Sequence, residues 1–221
     1  MENLKDDLLR VASWCCANGL LINPDKTKFC VFGSAQLLAR VSIPPLTFLG
    51  KELKVEETVK DLGITLDKGL TFNPYIDSLV SDLMRKLCMI GRIRHLLDKP
   101  TLFIVINSLV FTKMFYCSSV WSGTSKANIS KLQLVQNFAA RLLSDKKKYD
   151  HITQSLILLK LLPVSDLLYL KDAVMMYKIM NNLAPQYLRD LFQARSEVHT
   201  HNTGSYTRKG PYKGLRTLTK M

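Results

Sequence analysis

The stretch NPYIDSLVSDLMRKLCMIGRIRHLL, residues 73–97, decides the class of fold. Apolar residues recur in it every three or four positions, which is the period of one helix face. They are Ile76, Leu79, Val80, Leu83, Leu87, Ile90 and Leu97. Pro74 suits the first turn of a helix, where its missing N–H has no intrahelical partner to lose. The pattern predicts an amphipathic helix over 75–97, ended by Asp98-Lys99-Pro100.

Helical patterns continue after this stretch. A very apolar segment predicts a second helix over 101–120, and a third is expected over 130–143, with cations following its end. Residues 151–193 indicate further helices, which Pro163 and Asn181-Asn182 separate. From Arg195 onward the chain is polar, basic and without an apolar period, so a loose tail is expected there.

The residues before 73 predict a mixed region. Leu4, Leu8, Val11 and Cys15 form the stripe of an amphipathic helix, which Asn18-Gly19 should end. Short strands are expected over 20–23, 28–32, 46–49 and 60–66, and Gly63 inside the last of them is expected at a bulge or at a close approach of the backbone. The fold class is therefore α+β, mostly α, with a small antiparallel sheet followed by a multi-helix bundle and a loose basic tail.

Composition and charge narrow the function classes. The chain has 221 residues, of which 47% are hydrophobic and 22% charged, and this balance excludes wholesale disorder. Lys and Arg number 31 against 18 Asp and Glu, a net charge of +13, and the excess lies entirely after residue 70. Such an excess indicates a polyanionic partner. Nucleic acid is favoured over a membrane surface, because the cations come without an exposed aromatic-rich amphipathic face.

Targeting signals, metal motifs and disulfide patterns are missing from the sequence. The N-terminus lacks a basic segment followed by an apolar one, and no run of eighteen apolar residues occurs. The five cysteines are irregularly spaced without a Cys-x-x-Cys pair, and His199 with His201 falls short of a tetrahedral site. We expect an intracellular protein, cytoplasmic or nuclear, with free thiols, no transmembrane segment and no metal site of its own.

A series of sequence blocks, taken in order, resembles one family. The first is WCCANGLLINPDKTK at residues 14–28, and the second is VKDLGITLD at 59–67. The next blocks are SSVW at 118–121 and LQLVQNFAAR at 132–141. The series ends with LLPV at 161–164 and MNNLAPQYL at 180–188. Together they resemble the reverse transcriptases of non-long-terminal-repeat, LINE-type and jockey-like retrotransposons. Each block alone is a weak signal, whereas their shared order over residues 1–193 is specific.

The resemblance implies a division of the chain. Residues 1–70 would be the end of the polymerase palm with primer-grip-like strands, 71–150 a thumb-like helical bundle, 151–194 connector helices, and 195–221 a flexible basic tail. The family holds two Mg²⁺ ions with carboxylates of an early palm strand and a Tyr-Ala-Asp-Asp hairpin. Neither motif occurs here, and Asp6-Asp7 lies in a helical pattern without the preceding Tyr-Ala. We therefore expect no catalytic carboxylates, no cofactor in this chain and no polymerisation by it alone.

Three groups of candidate site residues follow from the resemblance. Lys26 matches the lysine that acts in such polymerases as a general acid near the pyrophosphate. The alternative interpretation is that Lys26 is an ordinary exposed lysine in a turn. Leu62 and Gly63 match the tip of the primer grip, where glycine lets backbone amides approach a phosphate, or else belong to an ordinary small sheet. The nucleic-acid-binding candidates, which are equally compatible with a solvated surface, are Arg85, Lys86, Arg92, Arg94, Lys99, Lys146, Lys147 and Lys148. Arg85, Arg92 and Lys99 are spaced by sevens, which predicts one helix face.

Two hypotheses from different classes remain open at this point. The first is a fragment of a retrotransposon RNA-directed DNA polymerase that retains sequence-nonspecific binding of RNA or DNA, complemented by the missing N-terminal part of the enzyme. The second is a stand-alone basic RNA- or DNA-binding module derived from the element, with no enzymatic role. Motif order favours the first, and the charge fits both equally well.

Overall fold

The computed structural model describes residues 2–194 and 206–208. Helices predominate, and the strands form small antiparallel pairs, which confirms the predicted α+β, mostly α class. The helices are α1 (Glu2–Ala17), α2 (Ala35–Leu38), α3 (Asn73–Ile93), α4 (Lys99–Ile106), α5 (Thr112–Met114), α6 (Ser118–Trp121), α7 (Lys126–Leu143), α8 (Thr153–Leu158), α9 (Val164–Met180) and α10 (Gln186–Asp190). The strands are β1 (Leu46–Phe48), β2 (Lys51–Leu53), β3 (Thr58–Asp61), β4 (Ile64–Asp67), β5 (Phe192–Ala194) and β6 (Tyr206–Arg208).

The described chain divides into two compact units. Of the described residues, the first unit comprises 2–117 and 123–164, and the second comprises 118–122, 165–194 and 206–208. In the second unit Trp121, Leu168 and Ile179 are buried, and β5 pairs with β6 in antiparallel fashion. The predicted loose tail lies outside the described residues, apart from β6.

A small core joins α1 to the first hairpin. Leu46, Phe48 and Leu53 of β1 and β2 are buried, and partly buried side chains of α1 and of the following loop pack against them. Those side chains are Leu8, Ala12, Ile22 and Phe29. Gly19, at φ +71°, follows the end of α1 as expected.

The strands predicted over 20–23 and 28–32 are wrong. This segment contains a turn at Asn23–Thr27 and a single parallel bridge between Phe29 and Val55. An extended segment becomes a strand only where a neighbouring strand takes up its backbone hydrogen bonds. Among the described residues only Val55 and Glu56 do so, because the Glu56 N–H donates to the Phe29 carbonyl at 2.8 Å.

The strand predicted over 60–66 is instead a hairpin. β3 and β4 pair in register from Thr58 with Asp67 to Asp61 with Ile64, which leaves Leu62 and Gly63 as a two-residue loop. Both loop residues have positive φ, 44° and 88°, as a type I′ turn requires. Gly63 is therefore a turn residue, and the bulge, one of the two roles predicted for it, is wrong.

The main core lies between α3 and α7. The buried face of α3 consists of Tyr75, Ile76, Leu79, Leu83, Leu87 and Ile90. It packs against α7, whose buried face includes Leu132, Val135 and Ala139. Helix α7 begins at Lys126 rather than Ser130, because the Ser125 hydroxyl caps it by accepting from the Asn128 N–H.

A hydrogen-bonded chain of polar side chains fixes the junction between β4, α3 and α7. The Asp67 carboxylate accepts from the Phe72 N–H at 2.7 Å and from both the N–H and the hydroxyl of Thr71 at 3.0 Å. The Thr124 hydroxyl donates to the Thr71 carbonyl at 2.8 Å, and the buried Asn128 amide donates to Thr124 and to Asn73 Oδ1. These bonds hold the hairpin exit, at left-handed Phe72, against both helix N-termini.

The helix predicted over 101–120 is interrupted. After α4 the backbone widens into a π-helical turn over Asn107–Phe111, and α5 then ends before Cys117 at φ +46°. The Ser108 and Thr112 hydroxyls donate to the carbonyls of Ile104 and Asn107, which loosens the regular backbone ladder. Residues 101–117 of this region belong to the first unit with α7, whereas 118–120 belong to the second unit.

Hydrogen bonds join two of the sequence blocks, 132–141 and 161–164, in the first unit. Buried Gln136 donates from Nε2 to the Leu162 carbonyl at 2.9 Å, and Gln133 Oε1 accepts from the Val164 N–H at 2.8 Å. Gln133 in turn donates to Gln136 at 2.8 Å and to Asn137 at 2.9 Å. The glutamines of the 132–141 block therefore fix the backbone of the 161–164 block.

Candidate nucleic-acid interface

Leu62 and Gly63 lie at an exposed hairpin tip that is supported from behind. The Leu62 side chain is 82% exposed, and its carbonyl accepts a hydrogen bond of 3.2 Å from the Tyr116 hydroxyl. A ring carbon of Tyr116 lies 3.7 Å from where a Cβ on Gly63 would be. A hydrogen bond with Cys117 raises the pKa of Tyr116, so the hydroxyl stays protonated and able to donate at neutral pH.

Lys26 is exposed in the turn that follows Asn23. Its neighbour Asp25 pairs with Lys51 of β2, and the Asp25 N–H donates to Asn23 Oδ1 at 2.8 Å. Within the part of the chain that the structure describes, no ion pair of the Lys26 ammonium is found. The geometry therefore places Lys26 on the surface, and its catalytic role stays a prediction.

Arg85 and Arg92 project from the exposed face of α3, opposite its core. Seen along the axis they align with Ser78, Ser81 and Met89, all of which are exposed. Arg85 approaches Asp82 at 3.7 Å, and for Arg92 the described residues contain no acidic partner. A face bearing Arg85 and Arg92 therefore runs along most of α3, with Asp82 as the acidic residue beside Arg85.

The acidic residues of α3 are engaged by lysines from other elements. Asp77 pairs with Lys131 of α7, and Asp82 pairs with Lys113 of α5 at 2.6 Å. The hydrogen bond from Lys113 lowers the pKa of Asp82 despite the opposing effect of partial burial, so this carboxylate stays ionised at neutral pH. Lys86 also approaches Asp82, at 3.4 Å, and is committed to this cluster rather than to the arginine face.

Arg94 and Lys99 do not continue the face of α3. The helix ends at Ile93, a 3₁₀ turn covers Arg94–Leu96, and Lys99 begins α4. The prediction that Lys99 shares a face with Arg85 and Arg92 is therefore wrong, since spacing by sevens holds only within one continuous helix. Arg94 and Lys99 meet instead at Asp145, at 3.6 and 3.7 Å.

Asp145 brings two predicted clusters together. It directly precedes Lys146, Lys147 and Lys148, all of which are exposed beyond the end of α7. The cations at the end of α3 therefore lie beside the lysine loop, although about fifty residues separate them in sequence. The arrangement is one basic margin on the first unit, formed by Arg94, Lys99 and Lys146–Lys148.

Several of these features had no signal in the sequence. The supporting Tyr116, the counter-ion Lys113 and the bridging Asp145 each act on residues more than thirty positions away. Their partners depend on the path of the chain between α3 and α7, which a local pattern does not contain.

The described residues contain no cluster of side chains typical of a metal-ion site. In residues 2–194 and 206–208, no group of three or more His, Cys, Asp and Glu side chains lies close enough to hold one. His199 and His201 lie outside the described residues. Helices able to cross a bilayer are likewise not found in the described ranges.

Comparison with known proteins identifies relatives. The chain is 30% identical over 154 residues to the probable RNA-directed DNA polymerase from transposon BS of Drosophila melanogaster, and 24% identical over 149 residues to that from transposon X-element. The matches cover 67% and 65% of this chain and 16% of each relative, so the chain spans about a sixth of their length. No family model matches, and no solved structure matches. The predicted relationship to retrotransposon polymerases is confirmed for this region.

Proposed function

We propose that this chain, a region related to the RNA-directed DNA polymerases of non-long-terminal-repeat retrotransposons, holds the primer–template duplex for such a polymerase. The observation that carries the proposal is the exposed face of α3, where Arg85 and Arg92 lie and where the adjacent carboxylate of Asp82 is also paired with Lys113 and Lys86. In the resembling family this helix is the first of the thumb and lies against the minor groove of the duplex.

The dimensions of that face suit a duplex. From Ser78 to Arg92 it measures about 21 Å at 1.5 Å per residue, a length comparable to about six phosphates of one strand. The small Ser78 and Ser81 side chains allow close approach, and Met89 offers a flexible apolar contact between the arginines. Since these groups address backbone and groove rather than base edges, binding is salt-sensitive and independent of sequence.

Pairing of the acidic residues makes this face effectively cationic. Asp77 and Asp82 flank it, yet each is bound by a lysine from α7 or α5. A phosphate approaching Arg85 and Arg92 therefore meets carboxylates that are already neutralised. Surface ion pairs of this kind add little to the stability of the fold. Their main consequence is that the electrostatic potential at this face of α3 is positive.

We propose in addition that the Leu62–Gly63 tip contacts the primer strand, as its resemblance to the primer grip implies. The exposed tip, the glycine without a Cβ and the Tyr116 hydrogen bond that fixes the Leu62 carbonyl support this role. Backbone N–H groups of such a loop can approach a phosphate closely.

Chemistry by this chain alone is not part of the proposal. The described residues lack the set of carboxylates that Mg²⁺ would need, so they do not fit the metal of the parent enzymes. Lys26 could serve as a general acid only beside an active site supplied by other polymerase residues. We expect no primer extension on an RNA template with Mg²⁺ or Mn²⁺.

Exposed apolar residues near the N-terminus support association with further parts of the polymerase. Leu9, Val11 and Trp14 of α1 are more than half exposed, and Leu21 is 96% exposed. Single exposed apolar residues are ordinary, whereas several large ones on one helix and the segment after it favour a surface that is covered in an assembly. This observation favours the polymerase fragment over a stand-alone intracellular binding module, which would gain nothing from such a surface.

The test is binding of a labelled RNA–DNA hybrid of about 20 base pairs by fluorescence anisotropy, at salt concentrations from low to physiological. We expect log K to fall linearly with log salt, with a slope of about −3 if three to four phosphates are contacted. Undetectable or salt-independent binding would refute the proposed function. Robust primer extension in a parallel assay would refute the view that this chain only holds the duplex.

A further inference from the structure

We propose that Tyr149 and the three lysines before it form a stacking site for an unpaired nucleotide, where a single strand leaves the duplex. The site lies in the loop 144–150 that follows α7, here called the KKKY loop. The inference rests on the proposed function, since it assumes that the first unit binds a nucleic acid, and it adds a second contact of different chemistry.

Backbone interactions and two acidic residues hold the KKKY loop in shape. The Lys146 N–H donates to the Arg141 carbonyl at 3.0 Å, after Asp145 has turned the chain through φ +53°. The Lys147 N–H donates to Asp150 Oδ2 at 2.8 Å, and the Asp150 N–H returns a bond of 3.2 Å to the Lys147 carbonyl. The loop is therefore closed without using any lysine side chain.

The lysine side chains of the loop are thus available to phosphates. In the described residues, Lys146, Lys147 and Lys148 have no ion pair, and all three are exposed. The two nearby carboxylates do not oppose them, because Asp145 is engaged by Arg94 and Lys99, and Asp150 accepts the Lys147 N–H. A phosphate beside this loop meets positive charge with little competition.

Tyr149 presents an aromatic ring among these cations. It is 87% exposed, although Lys148 Nζ lies over the ring at 5.4 Å from its centroid. A cation over one face leaves the opposite face open for a flat partner. An exposed ring beside several lysines is the combination with which proteins bind single strands, because every base has a face that can stack.

An unpaired base fits this ring better than a paired one. The bases of a duplex are stacked on each other and present only edges in the grooves, so a protruding ring has no face to meet there. The loop shares Asp145 with Arg94 and Lys99, which follow directly on α3. A strand that leaves a duplex held on α3 would pass the basic margin and reach Tyr149.

The experiment compares two probes on the intact chain: a blunt RNA–DNA hybrid, and the same hybrid with a six-nucleotide overhang carrying 2-aminopurine. Overhangs of RNA and of DNA form separate arms. We expect roughly tenfold tighter binding of the overhang probes, with quenching of 2-aminopurine fluorescence on binding. Tyr149→Ala should remove both effects and leave binding of the blunt hybrid unchanged, whereas Tyr149→Phe should retain them.

Tyr177→Ala is the matched control, because Tyr177 is also an exposed tyrosine but has no such cation over its ring in the described structure. The stacking site would be overturned if the Tyr149→Ala and Tyr177→Ala variants bound the overhang probe with equal affinity. It would also be overturned if the overhang added no affinity, even where the blunt hybrid binds. If the blunt hybrid does not bind while the overhang probe binds in a Tyr149-dependent way, the proposed function is refuted and the stacking site is retained. No binding of either probe overturns both.

Discussion

Helices α1 and α3 have similar amphipathic patterns in the sequence and very different surroundings in the structure. Of the 21 residues of α3 six are buried, and they pack against α7. Among the described side chains of α1 none is buried, and only Leu8 and Ala12 contact the small core of β1 and β2. Periodicity thus predicts that a helix has an apolar face, but not that the chain supplies a partner for it.

The difference assigns different roles to the two helices. α3 carries the stability of the first unit on one side and the arginine face on the other, so its exposed residues are held on a rigid support. α1 keeps Leu9, Val11 and Trp14 exposed, and its contribution to stability should be small. Four predictions sharpen this contrast.

The largest effect is expected in the core between α3 and α7. Leu83 is fully buried, so Leu83→Ala should lower the free energy of unfolding by about 2–5 kcal/mol. The control Leu9→Ala, on the exposed side of α1, should change it by less than about 0.5 kcal/mol. Urea unfolding followed by circular dichroism measures both, and equal losses would contradict the contrast between the helices.

A buried amide gives the next largest effect. Asn128→Ala leaves Asn73 Oδ1 and the Thr124 hydroxyl without their shared donor, and should cost about 1–3 kcal/mol. Asn18 makes an exposed amide bond to the Trp14 carbonyl at the end of α1, and Asn18→Ala should cost far less. Thermal unfolding midpoints measure both variants. Equal midpoints would show that the hydrogen bonds of Asn128 do not stabilise the junction of β4, α3 and α7.

The third prediction concerns pH. Partial burial acts to raise the pKa of Asp67, but its hydrogen bonds from Thr71 and Phe72 outweigh burial and hold the pKa below its usual value. Asp67 therefore stabilises the fold above about pH 4, where the unfolded carboxyl is ionised, and this contribution disappears as pH falls through the lowered folded pKa.

Asp67→Asn should accordingly lower stability at pH 7 by about 1 kcal/mol and lose that deficit in acid. Unfolding curves of the variant and the unsubstituted protein from pH 7 down to pH 2 provide the measurement. A deficit that stays constant over this range would show that the charge of Asp67 is unimportant.

The smallest predicted effect is a gain in stability. Leu62 has φ +44° in the β3–β4 loop, a left-handed conformation that disfavours leucine and suits asparagine. Leu62→Asn should raise the free energy of unfolding by about 0.5–1 kcal/mol. Leu49→Asn, in the similar Leu49-Gly50 loop, should give a comparable gain, and a loss in both would contradict the turn assignment.

The sequence predicted the helical class, the α3 core and the cap of α1, because each depends on a local period or on a glycine at positive φ. The hairpin at residues 62–63 was missed, since its turn is Leu-Gly rather than the usual Asn-Gly. The strands expected over 20–32 failed because local patterns do not supply a pairing partner.

The candidate site shows the same limit. The cations of α3 could be identified from charge alone, whereas their grouping required the structure. Asp82 withdraws Lys86 from the arginine face, and Asp145 joins Arg94 and Lys99 to the lysine loop. Ion pairs across long stretches of chain follow from the tertiary path rather than from spacing.

The most direct test of the central claim compares two double variants with equal loss of charge in the hybrid-binding assay. Arg85→Gln with Arg92→Gln removes the arginine face of α3, while Arg40→Gln with Lys54→Gln removes two exposed cations of the N-terminal region. We predict that the first weakens binding at least tenfold and reduces the salt slope by about two, and that the second changes binding less than twofold. Equal weakening by both pairs would show that only net charge matters, and would contradict a duplex-binding face on α3.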